Sequence, residues 1–271
     1  MNLIRPAILF LLLASTLHLS CREREASPVS VHNGYQLFLL IGQSNMAGRG
    51  VVVAEDTVAD SRVMMLNKDS AWVPAVEPLH FDKPIAGVGP GRAFGLAVAE
   101  RNPGVTIGLI PAAVGGSSIL TWEPGAHDSA TDTHPYDDAM ARARKAMESG
   151  TLAAVLWHQG ESDSNADRAP QYKQRLATLI TRLREEFGDP DLPFLIGQLG
   201  RFDENPWNEW RQEVNDAHVE LANEVDEVYF VSSDGLGDKG DGIHFSASAA
   251  RELGRRYADV YSEHQRSAPV K

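Results

Sequence analysis

The chain of 271 residues has one cysteine, Cys21, and no block of basic residues. A single cysteine cannot form an intrachain disulfide, and it excludes a cysteine-based zinc site and a CxxC redox site. A formal net charge of −12 without a Lys/Arg cluster argues against nucleic-acid binding. The remaining composition, with 43% hydrophobic and 23% charged residues, is that of a globular protein with one α/β domain or at most two small domains.

The N-terminal apolar segment is too short for a comfortable membrane span. Residues 1–21 carry one early positive charge and then a nearly continuous apolar run, which predicts a secretory signal peptide. Cys21 at its end resembles the lipid-accepting cysteine of a bacterial lipoprotein, and cleavage by an ordinary signal peptidase is the alternative. Residues 22–34 predict a linker. We therefore expect an exported protein (periplasmic, cell-surface or extracellular), and a lipid on Cys21 is the one membrane contact that the sequence allows for.

Buried strands alternate with amphipathic helices after the linker, which predicts parallel βαβ units in one doubly wound sheet. A single domain is expected over 35–262, followed by a C-terminal tail at 263–271. Arg62–Leu66 is interpreted as an accessory hairpin or an edge piece. The five expected strands are Gln36–Ile41, Val105–Ile110, Ala153–Trp157, Phe194–Gln198 and Val228–Val231. The expected helices are Arg92–Arg101, Asp137–Glu148, Tyr172–Phe187, Asn208–Asn223 and Ser246–Tyr261.

Loops rich in Gly, Ser, His and acidic residues follow these five strands. In a parallel sheet the carboxyl ends of the strands meet at one edge, and ligands bind there. The five loops should therefore face one site. They are 42–44, 111–118, 158–161, 197–201 and 234–244.

Ser44 lies in a Gly-flanked turn directly after the first predicted strand, where α/β enzymes expose a nucleophile. The alternative is an ordinary turn residue or helix N-cap. A serine nucleophile needs a base and usually a carboxylate. His244 is the candidate base, and Asp241 lies three residues earlier, close enough to turn back onto its imidazole. The alternative for this pair is a turn cap beside a surface histidine.

An acyl-transfer site also needs donors for the developing oxyanion. The backbone N–H of Ser44, a backbone N–H of Gly115-Gly116 and the side-chain amide of Gln159 are the candidates, although both segments could be ordinary loops. Glu161 could replace Asp241 as the acid, and we favour a supporting role for it. No compact metal signature is present, so neither a metal nor another cofactor is expected.

Four segments in this order resemble the sequence blocks of the SGNH hydrolase superfamily, in its sialate O-acetylesterase and carbohydrate esterase family 6 branch. They are Ile-Gly-Gln-Ser-Asn-Met-Ala-Gly (41–48), Gly-Gly-Ser-Ser-Ile (115–119), Trp-His-Gln-Gly-Glu-Ser-Asp (157–163) and Asp-Gly-Ile-His-Phe-Ser (241–246). The resemblance extends from about Tyr35 to Tyr261. It implies a three-layer α/β/α sandwich, here with a mainly parallel five-stranded sheet.

The resemblance also assigns roles. Ser44 matches the nucleophile, Asp241 and His244 match the terminal Asp-x-x-His, and Gly116 and Gln159 match the oxyanion donors. The implied activity is removal of O-acetyl groups from sugars, either sialic acids or polysaccharides such as xylan. Two further functions remain open at this point. One is a general esterase or lipase with the same triad, and the other is a catalytically silent carbohydrate-binding surface protein.

Three more side chains are candidates for substrate contact. Gln43 and Asn45 flank the expected nucleophile. Trp122 could stack its indole ring on a sugar, and ordinary packing is the alternative for it. We expect an acetylated carbohydrate as the partner, and the sequence gives no indication of an oligomeric state.

Overall fold

The structure is a computed structural model, and it describes residues 34–267. The predicted signal peptide at 1–21, including Cys21, and nearly all of the predicted linker lie outside the described residues. Within 34–267, none of the helices is long and apolar enough to cross a membrane.

Seven strands form one sheet over the described residues. They are β1 (Tyr35–Gly42), β2 (Val63–Leu66), β3 (Trp72–Pro74), β4 (Ile107–Pro111), β5 (Gly150–His158), β6 (Phe194–Gly197) and β7 (Val228–Val231). Their order in the sheet is β3-β2-β4-β1-β5-β6-β7. β3 pairs antiparallel with β2, and every other neighbouring pair is parallel.

The sheet thus has two strands more than the five expected. The segment interpreted as an edge piece is the parallel strand β2, and β3 extends the sheet beyond it. β2 has four residues and β3 has three, with no fully buried residue in β3. β3 in particular lacks the buried apolar run by which the five expected strands are recognised.

Helices cover both faces of the sheet. They are α1 (Ser44–Ala47), α2 (Pro90–Arg101), α3 (Pro135–Met147), α4 (Ala169–Phe187), α5 (Glu209–Glu224) and α6 (Ala247–Ser267). Proline occupies the first turn of α2, α3 and α4, where its missing N–H costs no helical bond. The last helix continues to Ser267, so the tail predicted from 263 begins inside it.

Successive residues of β1 point to opposite faces, as a strand requires. Leu37, Leu39 and Ile41 pack in a core with α3, α4 and α5. Phe38 and Leu40 pack in a second core with α2 and α6. Two apolar cores on either side of one sheet make a three-layer α/β/α sandwich, and the predicted fold class is confirmed.

β1 lies between β4 and β5 in the middle of the sheet, and the loops after all three strands meet beyond its carboxyl end. A Cβ at Gly42 would lie 2.1 Å from the carbonyl oxygen of His158, and Gly42 has φ +127°, so glycine is required where β1 closes against β5. This close approach brings Ser44 within reach of both neighbouring loops.

Candidate active site

Ser44 is the first residue of α1, the short helix that begins directly after β1. Gln43 is the extended residue before the helix, and all four residues of α1 are buried. The strand-to-helix turn holds Ser44 rigidly at the carboxyl edge of the sheet. This is the local geometry expected of a nucleophile-bearing turn.

Three side chains from two distant segments form one hydrogen-bonded chain. Ser44 Oγ lies 3.0 Å from His244 Nε2, and His244 Nδ1 lies 2.8 Å from Asp241 Oδ2. Because an ionised carboxylate can only accept, Nδ1 carries the imidazole proton and Nε2 presents its lone pair to the Ser44 hydroxyl. The arrangement supplies a nucleophile, a base and an acid in bonding contact.

Asp241 is held in its charged form. Burial alone would raise the pKa of its carboxyl, but hydrogen bonds from the His244 side chain and from the backbone N–H groups of His244 and Ile243 lower the pKa well below its usual range. Lys239 Nζ also lies 3.3 Å from Asp241 Oδ2. A permanently charged Asp241 can fix the His244 tautomer and stabilise an imidazolium.

Two backbone N–H groups are available at the expected oxyanion position. Among residues 34–267, neither the N–H of Ser44 nor that of Gly116 donates to a protein acceptor. Gly116 has φ +85°, a backbone conformation that favours glycine. Ser162 Oγ donates to the Gly116 carbonyl at 3.0 Å, which holds the next peptide, between Gly116 and Ser117.

The expected role of Gln159 as an oxyanion donor is not supported by its contacts. Its Nε2 donates to Asp163 Oδ2 at 2.5 Å, to the Ser117 carbonyl at 3.0 Å and to Gln43 Oε1 at 3.2 Å. Its Oε1 accepts from the Tyr172 hydroxyl. The side chain is fully buried and its two amide protons are committed. Gln159 therefore joins the loops behind the site instead of facing a ligand.

Asp163 is a functional residue that the sequence analysis missed. Its fully buried carboxylate accepts from Ser118 Oγ at 2.6 Å and from the Ile119 N–H at 2.8 Å, besides Gln159 Nε2. These bonds tie the loop after β5 to the loop that carries Gly116. Its place at the end of the 157–163 block was the only signal in the sequence.

Arg49 and Asp82 are a second missed pair. The two side chains are almost fully buried and bonded at 2.6 Å. Asp82 Oδ2 also accepts from the Gly115 N–H at 2.9 Å, and Arg49 donates to the Gly48 carbonyl. The pair connects the end of α1 to the glycine loop, so the segments of Ser44 and Gly116 are held together.

Gln43 and Asn45 differ in whether their side chains keep a hydrogen-bonding group available for a substrate. Gln43 Oε1 accepts from Gln159 Nε2 and from the N–H groups of Gly160 and Ser162, while its Nε2 donates to no protein acceptor among residues 34–267. Gln43 thus remains a candidate substrate contact. Asn45 uses both ends of its side chain in bonds to the protein, so it does not fit the expected role of substrate contact.

Glu161 lies beside the catalytic chain without joining it. Its Oε1 accepts from Asn45 Nδ2 at 2.6 Å and lies 3.9 Å from the buried His158 Nδ1. The imidazole nitrogen that an acid partner would contact is already bonded to Asp241. The geometry therefore favours Asp241 as the acid and gives Glu161 a supporting position.

Trp122 is not placed to bind a sugar. Its side chain is buried in the core, its Nε1 donates to Ser117 Oγ at 3.1 Å, and its ring packs edge-to-face on Trp157. The expectation of a stacking surface fails because the indole faces are covered by protein. Its contact with Ser117 instead supports the loop that carries Gly116.

Within residues 34–267, no three His, Asp or Glu side chains form a group that could hold a metal ion. What the arrangement offers chemically is an activated hydroxyl beside two backbone donors.

A family model described as carbohydrate esterase, sialic acid-specific acetylesterase, matches residues 34–263. In sequence, the chain is 33% identical over 247 residues to the "Probable carbohydrate esterase At4g34215" of Arabidopsis thaliana. The alignment covers 83% of this chain and 90% of that protein.

Solved structures show the same fold. The X-ray structure of the Arabidopsis thaliana protein AT4G34215 superposes with a TM-score of 0.75 at 32% identity, covering 85% of this chain and 98% of that one. NanS superposes with a TM-score of 0.68 at 17% identity, covering 88% and 99%. A carbohydrate acetylesterase from Xanthomonas citri gives 0.65 at 21% identity, covering 84% of this chain and 56% of that one.

Proposed function

The chain belongs to the carbohydrate esterase family of sialic acid-specific acetylesterases, and from this membership we propose that it removes O-acetyl groups from sugars through Ser44, His244 and Asp241. It is a carboxylic ester hydrolase. The observation that carries the proposal is the continuous chain of bonds from Ser44 Oγ through the His244 imidazole to Asp241.

The proposed reaction begins when His244 Nε2 takes the Ser44 proton as Oγ attacks the acetyl carbonyl carbon. Asp241 stabilises the resulting imidazolium through Nδ1. The oxyanion accepts from the N–H groups of Ser44 and Gly116, neither of which donates to a protein acceptor among the described residues.

The tetrahedral intermediate then collapses. His244 returns the proton to the departing sugar oxygen, the ester C–O bond breaks, and the acetyl group stays on Ser44. Water attacks this acetyl-enzyme with His244 again as base. The products are the sugar alcohol and acetate, and Ser44 regains its proton.

Acetate release tests the proposal. The purified full chain and its Ser44→Ala variant would be compared on acetylated xylan and O-acetylated sialic acid, with 4-nitrophenyl acetate and butyrate as control esters. Ser44-dependent release from one sugar would support the proposal and choose between the two substrate classes.

The other outcomes separate the competing functions. Ser44-dependent turnover of the nitrophenyl esters alone, with butyrate preferred, would favour a general esterase with the same triad. Absence of Ser44-dependent activity on all four substrates would contradict the proposal and favour the carbohydrate-binding protein.

Export remains a prediction, because the residues that indicate it lie outside 34–267. The mass of the N-terminal peptide of the mature protein would test it. A lipid-modified Cys21 at the new N-terminus would identify a lipoprotein, cleavage without lipid would identify an ordinary signal peptide, and an intact Met1 would contradict both.

A further inference from the structure

Asn45 is bonded to the protein on both sides of His244. Its Oδ1 accepts from the Phe245 N–H at 3.1 Å, and its Nδ2 donates to the Ile243 carbonyl at 3.0 Å. We propose that Asn45 is a positioning residue that holds the backbone of His244 at the distance from Ser44 that proton transfer needs. The inference rests on the proposed function of Ser44 and His244 and adds a residue to their site.

The place of Asn45 in the chain makes this coupling direct. It follows Ser44 in the same buried turn of α1, although 198 and 200 residues separate it from its two partners. The nucleophile and the group that holds the base therefore move as one rigid unit. Any shift of the 243–245 backbone relative to Ser44 must break a bond to Asn45.

The loop that carries His244 needs such an anchor. Gly235, Gly240 and Gly242 all have positive φ, and a backbone rich in glycine has many conformations to lose. Asp241 and Ile243 are exposed. Asn205 Nδ2 holds the Gly242 carbonyl at 3.0 Å, but Asn45 supplies the two bonds that bracket His244 itself.

Glu161 orients the Asn45 amide. Glu161 Oε1 accepts the second Nδ2 proton at 2.6 Å, so the side-chain amide of Asn45 can take only the orientation that presents Oδ1 to Phe245. Asn45 is buried and its protons are committed, which leaves it no donor for a substrate. Glu161 thus acts on His244 only through Asn45.

Misplacement of a reacting group by about 1 Å can cost about 100-fold in rate. Asn45→Ala should therefore lower kcat for 4-nitrophenyl acetate by about 100-fold and leave KM within about two-fold, since Asn45 has no free donor to bind the ester. Asn45→Asp keeps an oxygen for the Phe245 N–H but puts an acceptor against Glu161 Oε1 and the Ile243 carbonyl, so kcat should stay as low as in Asn45→Ala. Glu161→Gln keeps an acceptor for Asn45 Nδ2, so its kcat should stay close to that of the wild type. The kcat of Glu161→Ala should lie between those of the wild type and Asn45→Ala.

The matched control is Asn102→Ala. Asn102 Nδ2 also donates to a backbone carbonyl, that of Val98, at the end of α2. Its loss removes the same kind of bond away from the loops that carry Ser44 and His244, and kcat should not change.

A second readout does not depend on activity. Hydrogen exchange of the Phe245 amide, followed by NMR, should be faster in Asn45→Ala than in the wild type because its acceptor is gone. A Phe245 amide that stays equally protected, or a folded Asn45→Ala with wild-type kcat, would overturn the proposal. So would a loss in Glu161→Gln as large as that in Asp241→Asn, because Glu161 would then be the acid itself.

The wild type and Ser44→Ala, measured on the same ester, separate the two proposals. If the wild type shows no Ser44-dependent turnover, the proposed function fails and the exchange of Phe245 alone decides on Asn45. If turnover depends on Ser44 but not on Asn45, only the positioning role fails.

Discussion

The segments 241–245 and 158–163 both bring a histidine and at least one carboxylate to the carboxyl edge of the sheet, but they differ in exposure to water. The side chains of His244 and Asp241 are 21% and 34% exposed, whereas those of His158 and Glu161 are 0% and 8% exposed. His244 of the more exposed pair contacts Ser44, and the buried segment bonds to other loops. The two segments therefore carry the same types of residue and differ in how far their side chains are exposed to solvent.

The buried segment 158–163 stabilises the site through hydrogen bonds to the loops that carry the other site residues. Gln159 and Asp163 bind the loop that carries Gly116, and Glu161 binds Asn45. A polar group that is removed from water must recover its hydrogen bonds within the protein. Substitutions in 158–163 should therefore reduce stability, and substitutions in 241–245 should reduce turnover.

The largest expected effect is on turnover in the exposed segment. His244→Ala should lower kcat by about 10⁴-fold or more, because Ser44 loses its base, and should leave the melting temperature nearly unchanged. The double variant with Ser44→Ala should be no slower than either single variant, since the two groups act as one unit. Steady-state kinetics and thermal melts of the three proteins test this, and additive losses would break the assignment.

The largest expected effect on stability is in the buried segment. Asp163→Ala leaves Ser118 Oγ, the Ile119 N–H and Gln159 Nε2 without their acceptor, so the free energy of unfolding should fall by about 3 kcal/mol or more. Asp167→Ala, at an exposed carboxylate four residues later, should change it by less than about 0.5 kcal/mol. Urea unfolding compares the two, and equal stabilities would show that the buried carboxylate is not a support.

Trp122 tests the same distinction at a single aromatic residue. Trp122→Phe removes the bond to Ser117 Oγ and part of the core packing, so the free energy of unfolding should fall by about 1–3 kcal/mol with KM for sugar esters unchanged. Unfolding curves and KM values are measured on the same protein. If Trp122→Phe instead raised KM and left the free energy of unfolding unchanged, Trp122 would be a sugar contact.

The smallest expected effect is a pH dependence of stability. Burial lowers the pKa of His158 from 6.5, so His158 stays neutral while the unfolded chain takes up a proton. Stability is then full above pH 6.5 and is lost as pH falls towards the folded pKa, by up to about 1.4 kcal/mol per pH unit. His158→Gln should show a shallower loss between pH 7.5 and 5.5 in urea unfolding.

Part of that slope should remain in the variant. Burial also lowers the pKa of His80 to about 4 and that of His218 to about 3. The two groups protonate on unfolding in the same pH range, with the same sign. Identical slopes for the wild type and His158→Gln would mean that His158 is accessible to protons in the folded state.

Local sequence patterns located much of this molecule. The five expected strands follow from apolar runs, and the stripe at Leu176, Leu179, Ile180 and Leu183 predicts α4, where all four are buried. Ser44, Asp241 and His244 could be named because each lies in a short motif next to a strand or helix end. β3 was harder to identify because its three residues include none that is fully buried, and β2 was located only as an edge piece.

The remaining side chains could not be assigned from local pattern. Gln159, Asn45 and Trp122 have the chemistry of a donor, a polar contact and a sugar platform, and each was expected to face substrate. Their partners are Asp163, Phe245 and Ser117, and for Asn45 the contact spans 200 residues. No spacing rule predicts which polar group such a side chain will meet.

The sequence by itself determined the parallel sheet, the edge at which its loops meet and the residue types available for acyl transfer, because strand periodicity, glycine turns and acid–base chemistry are local properties. Only the tertiary structure decided which of those residues face substrate and which are committed to one another. The physical reason is burial: once a polar side chain is removed from water, its nearest partner fixes its role, and that partner is brought to it by the fold.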